Sequence, residues 1–214
     1  MSPAAHPTLP SLAAVDLACR RGNRRLFTRV SFTVDAGQAT WLRGRNGRGK
    51  TSLLRLAAGL AMPESGQITW GGVPVRQAAS MAQRLVYVAH ASALKDDLSV
   101  TESLRFLAQL HGRDDSVAGL HAALERVGMG ARRDALVRTL SQGQRRRATL
   151  ARLALERDAS IWILDEPYDA LDSDGIEAVN TLLTQHLARG GSVLLTSHQA
   201  AGDSAPPMTA FNLD

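Results

Sequence analysis

Eight consecutive residues, 44–51, have the types and the spacing of a phosphate-binding loop. They read GRNGRGKT and match the pattern G-x-x-x-x-G-K-[ST]. Glycines let such a backbone curl so that several N–H groups point at one anion. In this pattern Lys50 neutralises the β- and γ-phosphates, and the Thr51 hydroxyl ligates Mg²⁺. The sequence therefore predicts a nucleotide phosphate site at Gly44, Arg45, Asn46, Gly47, Arg48, Gly49, Lys50, Thr51 and Ser52.

A second group of reactive side chains follows an apolar run. Residues 161–164 read IWIL, and Asp165 and Glu166 come directly after them. A wholly apolar run is typical of a strand covered on both faces, and ligands of open α/β sheets gather at the carboxyl ends of such strands. We expect Asp165 to hold Mg²⁺ and Glu166 to polarise an attacking water. Together with the phosphate loop, the pair predicts nucleotide hydrolysis.

The elements that must position these residues alternate between strands and helices. A strand at 39–43 precedes the phosphate loop and a helix at 52–60 follows it. The remaining pattern predicts antiparallel strands within 12–40, a hairpin at 66–75, a strand at 85–88, a helix-rich stretch at 97–139, and apolar strands at 160–165 and 193–196. This alternation indicates an α/β core.

Composition excludes several classes of protein. With 44% hydrophobic and 21% charged residues in 214, the chain is neither disordered, collagenous nor a coiled coil, and it has no apolar run long enough to span a membrane. Residues 1–12, with three prolines, predict a flexible leader and lack the features of a secretory signal. The single cysteine, Cys19, excludes an internal disulfide. A net charge of +5, with only two lysines among 25 basic residues, permits an anionic partner without selecting one.

Three further segments resemble the motifs of one protein family. Residues 140–144 read LSQGQ, which resembles the LSGGQ signature of ABC-transporter ATPases with Gln142 in place of a glycine. Residues 170–172 (ALD) resemble the D-loop of that family, and residues 196–198 (TSH) its H-loop. The resemblance implies a P-loop NTPase fold of the ABC ATPase type. It has a RecA-like core with an antiparallel β-subdomain over 12–90 and 140–214, and a helical sub-lobe over 91–139.

The same resemblance implies how the residues work together. In this family two ATPase domains pack head to tail and bury two ATP molecules, each with Mg²⁺ held by residues at the positions of Thr51 and Asp165. His198 would contact the γ-phosphate in cis, and Asp172 would link the two sites. The signature would face the ATP of the other protomer through Ser141, Gln142, Gly143 and Gln144.

Two departures from the family pattern stand out. Where the family usually has a glutamine near Mg²⁺ and the attacking water, this chain has His90, which we expect to act in catalysis. Where the family usually stacks an aromatic ring on adenine, this chain has Arg20 and Arg21. We expect either the planar group of an arginine or the ring of Phe27 to stack on adenine in place of that aromatic residue.

Several stretches resemble the ATP-binding subunits of the cytochrome c maturation (haem exporter) group, in which histidine at the position of His90 is typical. These stretches are residues 54–60, 69–72, 90–99, 146–147 with 150–153, and 162–167. That resemblance implies a peripheral protein on the cytoplasmic face of the bacterial inner membrane. Its partners would be an integral membrane permease of the CcmB type, with CcmC and CcmD nearby, docked on residues 91–139. No nucleic acid is expected as a partner.

Three alternatives stay open at this point. The first is an ABC ATPase of a different exporter. The second is a soluble ABC ATPase that acts on nucleic acid, supported only by the sequence pI of about 10.3. The third is a nucleotide-binding scaffold without useful hydrolysis, motivated by Gln142 and His90. The run Arg145, Arg146 and Arg147 is interpreted as a solvated helix face with internal ion pairs.

Overall fold

The computed structural model describes residues 9–213, which fold around two β-sheets. The strands are β1 (Leu12–Arg21), β2 (Arg24–Val34), β3 (Ala39–Arg43), β4 (Ser65–Trp70), β5 (Val73–Pro74), β6 (Leu85–Val88), β7 (Ile161–Leu164), β8 (Ser192–Thr196) and β9 (Thr209–Asn212). The α-helices are α1 (Lys50–Ala57), α2 (Ala79–Arg84), α3 (Val100–Leu110), α4 (Val117–Arg126), α5 (Gln142–Leu150) and α6 (Ser173–Ala188). Short 3₁₀ helices lie at Gly130–Arg132, Val137–Thr139 and Ala151–Leu155.

One sheet is antiparallel and the other is parallel. The antiparallel sheet has the strand order β2-β1-β4-β5, and β1 pairs with both β2 and β4. The parallel sheet has the order β6-β7-β8-β3-β9. Strands β7 and β8 are buried at every residue, as a strand covered by helices on both faces should be. The α/β class and the antiparallel subdomain predicted from the sequence are confirmed.

The two faces of the parallel sheet carry separate hydrophobic clusters. One cluster joins the antiparallel sheet and α1 to the sheet through residues such as Phe27, Leu53 and Ile163. The other joins α3, α4 and α5 to the opposite face, through residues such as Leu104 and Leu124. The phosphate loop between β3 and α1 is thus fixed from the first side, and the LSQGQ segment before α5 from the second.

Several boundaries differ from the sequence-based expectation. Helix α1 spans Lys50–Ala57, so it begins two residues before and ends three residues before the predicted helix at 52–60; its N-cap residue is Gly49, in a left-handed conformation. The prediction of a flexible leader over 1–12 is wrong for its last residues, because Leu9 is buried in the core and β1 begins at Leu12. Residues 1–8 of that leader lie outside the described part of the chain. Strand β9 and helix α2 were not expected. Among residues 9–213, no helix combines the length and the apolar character needed to span a membrane.

Candidate functional site

The phosphate loop connects β3 to α1, and two of its glycines, Gly44 and Gly49, lie where a side chain would be strained. Gly44 has φ 149°, and a Cβ there would lie 2.6 Å from the backbone oxygen of Leu213. Gly49 has φ 103°, and its Cβ would lie 3.0 Å from Leu26 and 3.1 Å from Phe27. Both positions combine a left-handed backbone with a close neighbour. The loop therefore takes its curved shape from the sequence pattern itself.

Lys50, the first residue of α1, is buried beneath this loop. Its Nζ donates a hydrogen bond of 2.7 Å to the Gly44 carbonyl and lies 3.1 Å from Nε2 of His198. An ammonium held at the positive end of a helix is a suitable counter-charge for phosphate. Thr51, the next residue, is exposed, so its hydroxyl is accessible to a metal ion or to a nucleotide.

Asp165 and Glu166 follow β7 at the carboxyl edge of the parallel sheet. Asp165 is buried, and its Oδ1 accepts a 2.9 Å hydrogen bond from the Thr196 hydroxyl. Its Oδ2 is buried without a hydrogen-bond partner among the described residues. A buried carboxylate oxygen without a donor costs free energy unless a cation or a water completes it. The chemistry of this oxygen fits Mg²⁺ or a Mg²⁺-bound water.

The Glu166 carboxylate is aimed at His198. Its Oε2 accepts a 2.7 Å hydrogen bond from the His198 backbone N–H, and its Oε1 lies 3.4 Å from His198 Nε2. Lys50, His198 and Glu166 are therefore joined in one row between the phosphate loop and the acidic pair. His198 is half exposed, as a residue that meets a ligand must be. His90, also exposed, follows β6, whose Val88 pairs with Leu164 of β7, so it lies at the same edge of the sheet.

The LSQGQ segment forms the N-terminus of α5. Ser141 caps the helix by accepting a 3.2 Å hydrogen bond from the Gln144 N–H, and the Gln144 side chain accepts one of 3.1 Å from the Ser141 N–H. Gln142 is exposed in the first turn. Gly143 lies against the Asp169–Leu171 turn, since a Cβ there would be 2.6 Å from the Ala170 backbone oxygen. No hydrogen bond among the described residues joins this segment to the phosphate loop of the same chain.

Asp172 lies next to the LSQGQ segment. It caps α6 by accepting a 3.0 Å hydrogen bond from the Gly175 N–H, and it forms an ion pair with Arg147. The Arg147 guanidinium is the main reason that the pKa of Asp172 lies below its ordinary value. A cavity of ≈ 460 Å³ lies between the two elements, lined among others by Ser141, Gly143, Gln144, Arg147 and Asp172. Three of the four predicted in-trans residues, Ser141, Gly143 and Gln144, therefore share one open surface.

The prediction for the arginine run is wrong at Arg146, although the expected ion pairs are present at Arg145 and Arg147. Of the two alternatives for stacking on adenine, the one that uses Phe27 is wrong. The run 145–147 is not a uniformly solvated face, because Arg146 is only 6% exposed. Its guanidinium points inward, where burial lowers its pKa and the carboxylates of Asp169, Asp165 and Glu166 oppose that effect. Phe27 is buried under Gly49, so it is not available to stack on adenine. Arg20 is exposed and pairs with Glu64 at 3.4 Å.

The sequence reasoning also missed Thr196 as a member of the site. Its hydroxyl donates to Asp165 and accepts a 3.0 Å hydrogen bond from the Glu166 N–H. This places it between the two carboxylate residues. Two signals were available: its position at the end of an apolar run, which is the edge where ligands gather, and its place in the TSH segment beside His198.

Comparisons with known proteins give a consistent result. A family model described as ABC transporter matches residues 27–169. The cytochrome c biogenesis ATP-binding export protein CcmA of Albidiferax ferrireducens is 42% identical over 207 residues, which is 96% of this chain and 98% of that protein. The protein of the same name from Aromatoleum aromaticum is 46% identical over 92% of this chain and 93% of its own length.

Solved structures agree with the sequence relatives. An ABC transporter ATP-binding protein from Pyrococcus furiosus superposes with a TM-score of 0.80 at 26% identity, over 95% of this chain and 97% of its own. A second structure, described as an ATP binding subunit of an ABC transporter, has a TM-score of 0.76 at 26% identity, over 89% of this chain and 80% of that one. Both matches extend beyond the phosphate loop to nearly the whole described fold.

Proposed function

The chain belongs to the ABC transporter family of ATP-binding proteins, and from that premise we propose that it energises a membrane partner in haem handling for c-type cytochrome maturation. Its activity is transport-coupled ATP hydrolysis. The observation that carries the proposal is the row of Lys50, His198 and Glu166, with atoms 3.1 and 3.4 Å apart, at the carboxyl edge of the parallel sheet. The resemblance to CcmA proteins along nearly the entire chain supports the biological role.

The positions of the residues support the following roles. Lys50 neutralises the β- and γ-phosphates of ATP, while the curled backbone of the loop surrounds them. Glu166 orients and polarises the attacking water, because its carboxylate faces the same space as the half-exposed His198. His198 binds the γ-phosphate, and His90, which follows β6 at the same edge of the sheet, is the second histidine proposed to act in catalysis. The hydrolysed bond is the one between the β- and γ-phosphates.

A magnesium ion would bind with ATP at Thr51 and Asp165. The accessible hydroxyl of Thr51 and the unpartnered Oδ2 of Asp165 are hard oxygen ligands of the type that this ion prefers. When bound, the ion neutralises phosphate charge. Thr196 keeps Oδ1 of Asp165 occupied and thereby leaves Oδ2 for the metal or for a bound water.

The catalytic unit is a homodimer in the proposed function. Ser141, Gly143 and Gln144 lie on an open surface away from their own phosphate loop, and a serine hydroxyl at a helix N-terminus suits an anion. The γ-phosphate bound by the second protomer is the anion proposed for this surface. Asp172, beside the same surface, links the two sites. The partner is an integral membrane permease of the CcmB type at the cytoplasmic face of the inner membrane, with CcmC and CcmD in the same assembly.

The test is co-purification from membranes with the full chain carrying an affinity tag, followed by an ATPase assay of the recovered complex. Recovery of a CcmB-type permease with stimulated hydrolysis would support the proposal. Recovery of a different permease would keep the ATPase and refute the cytochrome c role. If the chain remains unattached to membranes and retains nucleic acid in a salt-dependent manner, the transporter role is wrong.

A further inference from the structure

Arg146 stands apart from its neighbours because its whole guanidinium group is bonded to backbone carbonyls. Nη2 donates to the carbonyls of Asp165 and Glu166, both at 2.7 Å. Nη1 donates to Ala89 at 3.0 Å and, at 3.5 Å, to His90. Nε completes the set with a 3.4 Å contact to the Pro167 carbonyl. The planar, five-donor fork of arginine is suited to bonding several acceptors at once.

These carbonyls belong to the two segments that carry the proposed catalytic residues. Ala89 and His90 follow β6, and residues 165–167 follow β7. Strands β6 and β7 end side by side at Val88 and Leu164, where the ladder of sheet hydrogen bonds stops. Just beyond that point, the buried guanidinium of Arg146 donates hydrogen bonds to both segments. It therefore links the two segments past the ends of their strands.

Glu166 shows why such a linkage matters. It has φ 53°, a left-handed conformation that costs free energy for a residue with a side chain and that persists only when its surroundings enforce it. Here its N–H donates to Thr196 Oγ1 at 3.0 Å, and its carbonyl accepts from Arg146 at 2.7 Å. Hydrogen bonds therefore hold both polar backbone groups of Glu166, its N–H and its carbonyl. That backbone conformation sets the direction of the carboxylate toward His198.

The backbone of Arg146 belongs to α5, the helix that begins at the LSQGQ segment. Arg146 lies in the second turn after the Ser141 cap, so the guanidinium joins this helix rigidly to the Glu166 and His90 segments. Its two neighbours contact other parts of the chain: Arg145 pairs with Asp96 at 2.5 Å, and Arg147 pairs with Asp172. Among the three, Arg146 is the one whose bonds reach the proposed catalytic residues.

We infer that Arg146 is a positioning residue for ATP hydrolysis, which fixes Glu166 and His90 relative to the signature helix. The inference rests on the proposed function. Arg146 does not touch the phosphate loop, so it acts on the orientation of the water-activating carboxylate and not on the binding of ATP. Displacement of a catalytic group by about 1 Å costs on the order of 100-fold in rate. Loss of Arg146 therefore reduces kcat while the affinity for ATP is retained.

The experiment compares Arg146→Gln with Arg152→Gln in the purified full chain and in its membrane complex. Arg152 is a control from the same region: it follows α5, is partly buried, and donates to the Tyr87 carbonyl of β6 at 3.3 Å, with no hydrogen bond among the described residues to positions 89–90 or 165–167. We expect Arg146→Gln to lower kcat by about 10- to 100-fold with the Kd for ATP within about twofold of wild type. Arg152→Gln should retain the wild-type kcat below its unfolding temperature.

A second variant separates positioning from the mere need for a buried charge. Arg146→Lys keeps the cation, but a single ammonium cannot bond the carbonyls of both segments at once. Its kcat should stay at least about fivefold below that of wild type while its melting temperature recovers toward wild type. Wild-type kcat in folded Arg146→Gln or Arg146→Lys, or a parallel loss of ATP affinity, would overturn the inference. If the wild-type complex itself has no ATPase activity, the proposed function fails and the inference fails with it.

Discussion

Replacement of Gly143 by alanine tests the role of the signature segment at a position where the structure sets the size of the effect. A Cβ at this position would lie 2.6 Å from the Ala170 carbonyl oxygen, whereas ordinary contact begins at 3.4 Å, so the two segments must separate by about 0.8 Å. Ala170 already has φ 60°, and it is two residues before Asp172, so its turn has little freedom to move away. The N-terminus of α5 must therefore shift.

Two free-energy terms oppose each other in the stability of Gly143→Ala. Overpacking against backbone costs about 1–3 kcal/mol, while alanine in place of a helical glycine contributes at most about 1 kcal/mol. The net loss of stability is then about 0–3 kcal/mol, which is less than the typical stability of a folded domain and leaves the protein folded. A shift close to 1 Å in the segment that is proposed to meet the γ-phosphate of a second protomer should lower kcat by about 10- to 100-fold. The Kd for ATP should not change, because the phosphate loop lies elsewhere.

The assay is steady-state ATP hydrolysis by the membrane complex, with ATP affinity measured by calorimetry and folding by thermal melting. Gly119→Ala in α4 serves as the control, because the nearest atom to its Cβ, at 2.8 Å, is the carboxylate end of the flexible Asp114 side chain. That variant should hydrolyse ATP at the wild-type rate. A wild-type kcat in Gly143→Ala would refute the tight packing against Ala170 or the role of the segment. A lost ATP affinity would refute its separation from the phosphate loop.

Two further predictions concern the phosphate loop and the core. Lys50→Ala should weaken ATP binding by about 10- to 100-fold, since a charged hydrogen bond contributes about 1.5–3 kcal/mol, and unchanged affinity in calorimetry would exclude Lys50 from the phosphate site. Burial lowers the pKa of His186 from 6.5 to about 4, and its ring stacks on that of Trp162 with the two ring centroids 3.7 Å apart. In the unfolded chain His186 takes up a proton below pH 6.5, whereas in the folded chain it stays neutral until about pH 4. The free energy of unfolding should therefore fall by about 3 kcal/mol as the pH decreases through that window. Urea unfolding of His186→Gln should lack this component; parallel pH curves for the variant and wild type would contradict it.

Local pattern was sufficient to single out the residues that are proposed to bind phosphate and metal. The glycines and the lysine of 44–51 are constrained by the curvature of one short loop, so their spacing carries the information without the rest of the fold. Asp165 and Glu166 were predictable for a similar reason, because an apolar run that ends in carboxylates is typical of a buried parallel strand.

Long-range placement was not predictable in the same way. The run at 145–147 has three identical charges, so nothing local distinguishes the buried Arg146 from its two partly exposed neighbours. Its direction depends on where β6 and β7 end relative to α5. Thr196 was missed because its contact with Asp165 requires the pairing of β7 with β8. Strand β9 was missed because a four-residue edge strand gives little pattern, and it takes its place by pairing with β3.

The most direct test of the central claim is a measurement of ATP turnover and retention by Glu166→Gln. The amide keeps the size of the side chain and its contact with the His198 N–H, but it cannot act as a base. The proposed function predicts that hydrolysis falls by about 100-fold or more while ATP is still bound and a stable ATP-loaded homodimer accumulates. Near-normal hydrolysis by this variant would contradict the assignment of Glu166 as the base, and with it the proposed mechanism of the site.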